Sequence, residues 1–152
     1  MADQLSFSSL EFAAKKKRTK RDVFLGEMAG VVPWSKLEGL IEPHYPKMGP
    51  QGGRRPFPLA VMLRVYCLQQ WYNLSDPGAE EALYDIQSMR VFAGLELGRD
   101  ALPDETTILN FRVGTGDCVF QVLSREGCFG WQRGERLFRW PMVGNTAHHI
   151  SN

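Results

Sequence analysis

One segment, Leu59–Tyr72, constrains the fold of this 152-residue chain more than any other. Its sequence, LAVMLRVYCLQQWY, is apolar almost all round a helical wheel, which predicts the central helix of a core. Within it, Cys67 is most simply a small core residue. A loop rich in glycine and proline (residues 45–58) precedes the segment, and Ser-Asp-Pro (residues 75–77) starts the next helix. The rest of the chain must therefore supply elements that cover this helix.

Shorter helices are predicted on both sides of the central one from capping residues and apolar spacing. The first covers residues 22–32, with Asp22 as its N-cap, and the second covers residues 34–41, between two prolines. Residues 77–86 form a third, and residues 88–92 form a short helical turn. The side chains expected to face the core are Val23, Phe24, Met28, Val31 and Val32 in the first helix, Trp34, Leu37, Leu40 and Ile41 in the second, and Ala79, Ala82, Leu83 and Ile86 in the third.

The stretch 102–112, LPDETTILNFR, has a strong helix start and then loses its pattern. Asp104 is the predicted cap, and Ile108 and Phe111 begin an apolar stripe at helical spacing. After Arg112 the sequence becomes Val-Gly-Thr-Gly-Asp-Cys, and we expect the helix to stop there. Residues 113–152 contain six of the fifteen glycines and show little sustained period. They predict an irregular tail, with CVFQVL and RLFRWPMV as candidate short strands.

No strand hairpin is predicted before Arg112. The expected fold is therefore all-α, a small domain of about five or six helices joined by short loops, with a poorly structured C-terminal tail. The expected division is a basic arm at residues 1–21, the helical domain at residues 22–112 and the irregular tail at residues 113–152.

Positive charge is concentrated at two points, although the net charge is only +1. One is a run near the N-terminus, and the other is a pair in the loop before the central helix. Clustered lysines and arginines bind DNA by releasing its counterions. The same residues are also typical of a solvated arm or linker, so both interpretations stay open. The run consists of Lys15, Lys16, Lys17, Arg18, Lys20 and Arg21, and the pair consists of Arg54 and Arg55.

The sequence shows neither a membrane span nor a signal peptide, which predicts a cytoplasmic protein. No apolar run approaches the roughly 20 residues of a spanning helix. The first 15 residues have no charged start followed by an apolar block. Cys67, Cys118 and Cys128 form an odd set without CxxC spacing. This pattern argues against a disulfide framework and a zinc site, and no metal site is predicted.

Three stretches together resemble the N-terminal domain of InsH-type transposases of bacterial insertion sequences: PWSKLEGLIEPHYPK, RRPFPLAVMLRVYCLQQWYNLSDPGAEEALYD and MRVFAGLELGRDALPDETTILNFR. The resemblance covers residues 12–112, and its most specific part is QQWYNLSDP followed by LPDETTILNFR. It implies a helical domain that helps to bind the terminal inverted repeats of the element. It also implies a larger C-terminal domain with an RNase H-like fold and a DDE carboxylate triad that holds two divalent ions, for which magnesium is suited.

The chain departs from the family's pattern after Arg112. In the family, the helix that begins at Asp104 continues for several turns, and the first catalytic Asp follows on a strand with a motif like Val-Asp-Ala-Thr. Here the acidic residues after Arg112 are Asp117, Glu126 and Glu135, and each lies in a polar, irregular stretch. A frameshift just after Arg112, which truncates the protein before its catalytic domain, explains this difference. A divergent but genuine C-terminal extension is the alternative that the sequence leaves open.

The expected function is that of a transposase-family protein that binds insertion-sequence end DNA at the nucleoid, without catalysis and without a cofactor of its own. The alternatives are a fragment that pairs with full-length transposase and inhibits it, and a product with no function. Thr106 and Thr107 offer hydroxyls at the start of the last helix, but Asp104 and Glu105 beside them repel phosphate. The candidate DNA contacts are therefore Lys15, Lys16, Lys17, Arg18, Lys20, Arg21, Arg54, Arg55 and Arg112.

Overall fold

A computed structural model describes residue 14, residues 17–47 and 55–125, and the backbone of residues 130–132 and 135–137. Helices make up the described domain, which confirms the all-α prediction. They are α1 (Lys20–Val31), α2 (Trp34–Ile41), α3 (Leu59–Tyr72), α4 (Asp76–Asp85), α5 (Gln87–Ala93) and α6 (Glu105–Arg125), and a 3-10 turn (Glu42–His44) follows α2. Two three-residue strands, β1 (Gly130–Gln132) and β2 (Glu135–Leu137), pair antiparallel with Gly130 opposite Leu137.

The central position predicted for α3 is confirmed. This helix packs against α2, α4, α5 and α6. It ends at Asn73, which adopts the left-handed conformation (φ 53°) that commonly stops a helix. Fully burying one large apolar side chain contributes about 1.5–3 kcal/mol, so α3 supplies much of the driving force for folding. Its buried residues are Met62, Leu63, Val65, Tyr66, Cys67, Leu68 and Gln69.

The start of α1 lies earlier than predicted. Thr19 is the N-cap: its Oγ1 accepts a hydrogen bond from the backbone N–H of Asp22 at 3.2 Å. In return, Oδ2 of Asp22 accepts from the N–H of Thr19 at 3.0 Å, which completes a capping box. The predicted cap at Asp22 is therefore wrong, because this buried carboxylate acts from inside the first turn. Lys20 and Arg21, which were assigned to the arm, belong to the helix.

Three of the side chains predicted to face the core are exposed to solvent instead. Val31 at the end of α1 and Leu40 in α2 are both exposed, as is Val23 to a lesser degree. Short helices bury only a narrow stripe, and a 3.6-residue period leaves some apolar positions outside it. In α4 the inward face is as predicted, with Ala79, Ala82 and Leu83 buried. The residues that α1 and α2 bury, with Val32 just after α1, are Leu25, Val32, Trp34, Leu37 and Ile41.

The two ends of α4 are organised by one serine and one arginine. Ser75 Oγ accepts from the N–H of Gly78 at 3.1 Å, as the predicted cap requires. At the other end of α4, Nη1 of Arg90 donates to the carbonyls of Leu83 and Tyr84, each at 2.8 Å. These bonds satisfy carbonyl groups that lose their helical partners at a C-terminus. Arg90 is buried and thus has a structural role.

The last helix, α6, continues well past the predicted stop at Arg112. It begins as predicted, since Oδ1 of Asp104 accepts from the N–H of Thr107 at 2.7 Å. It then runs for 21 residues to Arg125, so the predicted stop is wrong, and CVFQVL is helical rather than a strand. Two glycines after Arg112, each costing about 1 kcal/mol in a helix, obscured the pattern. The buried stripe is nevertheless continuous: Ile108, Phe111, Thr115, Gly116, Val119 and Leu123.

Candidate nucleic-acid interface

The predicted DNA contacts lie at three separate places in the fold. Lys15, Lys16 and Arg54 lie outside the described residues. All of the others are exposed. Two lie just before α1 and two in its first turn, one lies in the segment before α3, and one in the middle of α6. In that order they are Lys17, Arg18, Lys20 and Arg21, then Arg55, then Arg112.

The first place is a group of cations that we call the basic cluster: Lys17, Arg18, Lys20 and Arg21. Arg18 lies along α1, because its Nη2 donates to the carbonyl of Asp22 at 3.3 Å. The same nitrogen would lie 3.0 Å from a Cβ atom at Gly26, so the absence of a side chain at that glycine makes room for it. The guanidinium is therefore held beside the first turn of the helix.

Aromatic rings from α1 and α3 support the basic cluster. The Arg21 guanidinium carbon lies 5.6 Å from the centre of the Tyr72 ring, within the range of a cation–π contact. Tyr72 and Trp71 both meet Phe24 of α1 edge-on, with centroid distances of 6.2 and 5.4 Å. Burial raises the pKa of the Tyr72 hydroxyl, and the positive charge of Arg21 opposes that shift. Within the cluster, Arg21 is thus held against the core at the junction of α1 and α3.

Arg112 is engaged within the fold. Its Nε and Nη2 donate to Oδ1 and Oδ2 of Asp76 at 3.1 and 2.7 Å, which is the bidentate geometry of strong Arg–carboxylate pairs. Gln69 of α3 also donates to Oδ1 of Asp76, at 2.9 Å. The hydrogen bonds from Arg112 hold the pKa of Asp76 below its usual value. Arg112 therefore connects α6 to the start of α4, and its role as a DNA contact stays a prediction.

Arg55 lies at an open cleft with a volume of about 190 Å³. The cleft is formed by the segment before α3, the segment after the 3-10 turn and the first half of α6. Its aromatic wall is made by Tyr45, Phe57 and Phe111, and its polar groups include Thr107 and Asn110. Sequence reasoning missed Asn110, although its position three residues after Thr107 places both on one face of a helix.

Another arginine, Arg64, is used inside the fold. Its guanidinium carbon lies 4.4 Å from the centre of the Trp34 ring and 5.3 Å from that of Phe92. Its Nη1 donates to the carbonyl of Phe92 at 3.1 Å, and burial lowers its pKa. Positive charge in this domain thus serves two purposes, since Arg64 and Arg90 hold helices together while the basic cluster faces solvent.

Comparison with known protein families decides the affiliation of the chain. The family model described as transposase domain (DUF772) matches residues 12–114, more than half of the chain. The chain belongs to this transposase-domain family. No solved structure matches it. The match confirms at family level the resemblance read from the sequence, and it makes the chain a transposition-related protein. Every predicted DNA contact, from Lys15 to Arg112, lies within the matched range of the transposase domain.

The described part of the transposase domain does not supply a metal site. No group of three or more His, Cys, Asp or Glu side chains that could hold an ion is found among the described residues. Asp117, one of the three acidic residues after Arg112, is exposed on α6. Within the same described residues, no helix has the length and apolar character needed to cross a membrane.

Proposed function

We propose that this transposase domain binds DNA through the basic cluster at the start of α1. The observation that carries the proposal is the position of the cluster. Lys20 and Arg21 occupy the first turn of α1, and Lys17 and Arg18 precede it. All four side chains are exposed. Phosphate groups are the ligands that clustered lysine and arginine side chains attract most strongly.

The helix end at which these cations lie strengthens the proposal. The N-terminus of a helix carries a partial positive charge, so cations there destabilise the helix by about 0.3–1 kcal/mol each. The capping box of Thr19 and Asp22 offsets part of that cost. The Asp22 carboxylate occupies the helix end itself, so the exposed cations around it, which disfavour their own helix, are the groups that attract an anion from solvent. A DNA phosphate is such an anion.

The proposal extends to the DNA at the ends of an insertion sequence, bound at the nucleoid by a non-catalytic fragment of a transposase. Arg55 would provide a second contact, at the cleft beside α6. The support for this finer statement is the family membership together with the exposed cations of the basic cluster and the separate exposed Arg55. Contacts to phosphate would position the domain, whereas preference for the terminal repeat requires contacts to base edges.

The proposal is tested by measuring the salt dependence of binding to a terminal-repeat duplex and to a duplex of random sequence. Each phosphate contact contributes about −0.9 to the slope of log K against log salt. We expect replacing Lys17, Lys20 and Arg21 together by Gln to reduce the magnitude of that slope by about 2–3. Fluorescence anisotropy at several salt concentrations gives both the affinity and the slope.

Lys36→Gln is the matched control, because Lys36 is an exposed lysine on α2, away from the cluster. It removes one positive charge and should leave the slope almost unchanged. An unchanged slope in the triple variant would disprove the role of the basic cluster. Equal affinity for the terminal repeat and for random DNA would leave a DNA-binding domain but remove its specificity for element ends.

A second candidate function is pairing with a full-length member of the family. Three apolar side chains on one side of α6 face solvent: Leu109, Val113 and Phe120, with Val113 71% exposed. Apolar groups aligned in this way are typical of protein contacts. If they bind a longer transposase, Val113→Asp should abolish co-purification of the two proteins while DNA binding persists. Retained co-purification would exclude this stripe as the contact.

A further inference from the structure

The cleft beside Arg55 has a wall that the fold itself holds in place. The Tyr45 hydroxyl donates to the carbonyl of Phe57 at 2.6 Å. The Tyr45 ring meets Phe111 edge-on with centroids 5.8 Å apart, and Phe111 meets Tyr66 of α3 in the same way at 6.3 Å. Burial also raises the pKa of Tyr45, which favours the neutral hydroxyl that donates this bond. The cleft is therefore formed before any ligand arrives.

The polar groups of the cleft are available to a ligand. Thr107 and Asn110 lie on one face of α6, and Arg55 lies on the segment opposite. Within the described part of the chain, the Asn110 amide and the Arg55 guanidinium make no side-chain hydrogen bond to another residue. Among the described residues that line the cleft there is one cation and no carboxylate. The single positive charge therefore favours a ligand that carries a negatively charged group.

The size and composition of the cleft indicate which kind of ligand it can bind. Its volume of about 190 Å³ is below the range of roughly 300–1,000 Å³ for drug-sized ligands. A phosphate alone would lose its water against an aromatic wall that offers it few hydrogen bonds. A nucleobase suits the cleft better, because its flat face packs on aromatic rings while its edge carries donors and acceptors.

We propose that this cleft receives one unstacked nucleobase of the bound DNA, with Asn110 hydrogen-bonded to its edge and Arg55 facing the phosphate beside it. This inference rests on the proposed DNA binding, and it assigns a distinct role to residues outside the basic cluster. The amide of Asn pairs with N6 and N7 of adenine through two hydrogen bonds, so adenine is the base that the site selects.

Amide NMR of the full chain tests the proposal with three probes: deoxyadenosine monophosphate, thymidine monophosphate and inorganic phosphate. The adenine nucleotide should shift the signals of Thr107 and of the Asn110 side-chain amide. Thymidine monophosphate should bind about tenfold more weakly, which corresponds to the loss of one bidentate base contact. Inorganic phosphate should leave the Asn110 signals unchanged.

Two variants separate the base contact from effects on the fold. Asn110→Ala removes the amide and should weaken binding of the adenine nucleotide about tenfold. Gln121→Ala is its matched control, because Gln121 is an exposed amide on the same helix and does not line the cleft. It should leave nucleotide affinity unchanged, and both variants should retain the wild-type helix content by circular dichroism.

Two outcomes would overturn the assignment. Shifts of Asn110 that are as large with inorganic phosphate as with the nucleotide would show an anion site instead. An Asn110→Ala variant that binds the nucleotide as tightly as the wild type would show that the base is not read there. If the wild type shifts with the nucleotide but binds neither duplex, the proposed DNA binding fails, and the cleft is a site for a free nucleotide and not for a base of bound DNA.

Discussion

The two halves of α6 reach the same core by different means. The first half, residues 105–112, starts at a capped turn and contains no glycine. The second half, residues 113–125, contains two glycines, and one of them, Gly116, is buried against the Tyr66 ring of α3. The second half also holds two of the best-buried side chains of the helix, since Val119 is 0% and Leu123 is 1% exposed.

The comparison shows that spacing of buried groups outweighs intrinsic helix propensity here. Each glycine costs about 1 kcal/mol relative to alanine. Full burial of a Val or Leu side chain contributes about 1.5–3 kcal/mol, so Val119 and Leu123 together exceed the cost of the two glycines. The close approach of α6 to α3 at Gly116 gives that residue a packing role as well.

The largest expected effect comes from removing a buried side chain of the second half. Leu123→Ala should lower the free energy of unfolding by about 2–5 kcal/mol, because it leaves a cavity in a filled core. Ile108→Ala, at an equally buried site in the first half, should cost a similar amount. Urea unfolding followed by circular dichroism measures both values.

Val113→Ala is the control for these two variants, since Val113 is 71% exposed on the same helix. It should change the free energy of unfolding by less than about 0.5 kcal/mol. If Leu123→Ala behaved like Val113→Ala while Ile108→Ala was costly, the second half would not share the core. Such a result would also favour the hypothesis that the chain beyond Arg112 is unselected, which otherwise stays a prediction.

The parts of the fold that sequence reasoning predicted correctly depend on local patterns. Three examples are the all-round apolar character of α3, the Ser75 cap and the Asp104 cap. Each is set by a few neighbouring residues, and such a short pattern predicts a single structure. The start of α1 was missed for a related reason. The common capping box ends in Glu or Gln, whereas here Asp22 fills that position.

The features that sequence reasoning missed depend on contacts between distant residues. The ion pair of Arg112 was missed because its partner Asp76 lies 36 positions earlier and no local pattern joins them. The cleft is likewise assembled from separate segments, so Asn110 gave no signal on its own. In α6, two glycines concealed the stripe of buried side chains, which stabilises the helix only because it packs against α3. The basic cluster was found because its charge is contiguous in sequence.

Gly114→Ala tests the cost of glycine in the second half directly. A Cβ atom at Gly114 would have nothing within 4 Å, so alanine fits without strain. The variant should raise the free energy of unfolding by about 0.8–1 kcal/mol, the ordinary difference between the two residues in a helix. A gain close to zero would indicate that this turn is not helical in solution. The midpoint of urea unfolding reports the change.

Arg112→Gln tests the ion pair at the junction of the two halves. The Arg112 side chain is 48% exposed, so the loss should be about 0.2–1 kcal/mol at neutral pH. Because Arg112 holds the pKa of Asp76 below its unfolded value, the pair stabilises the fold above the unfolded pKa of about 3.9. That contribution is lost as pH falls through the folded pKa.

Wild type and Arg112→Gln should therefore differ near neutral pH and converge in acid. Urea unfolding at about pH 7 and at about pH 2.5, below the usual range of an Asp carboxyl, measures the two differences. A difference of the same size at both values would show that the effect of Arg112 comes from packing of its aliphatic part and not from its charge.

The smallest effect is expected for Tyr66→Phe, which removes a contact between α3 and the second half of α6. The Tyr66 hydroxyl donates to the carbonyl of Gly116 at 3.4 Å. A bond this long contributes less than the usual 0.5–1.5 kcal/mol, so the variant should lose at most about 0.5 kcal/mol at neutral pH. Burial raises the pKa of Tyr66 in the folded protein.

The sign of that shift gives Tyr66 a distinct alkaline signature. Its folded pKa lies above the unfolded value of about 10, so its contribution is complete below pH 10 and is lost as pH rises through the folded pKa. Tyr66→Phe should therefore lose less stability than the wild type between about pH 9 and pH 11. Burial also raises the pKa values of Tyr45 and Tyr72. Both the wild type and Tyr66→Phe should therefore still lose some stability at alkaline pH. Identical losses in the two would mean that the second half of α6 does not bury this hydroxyl in solution, and the packing of Gly116 against α3 would then need revision.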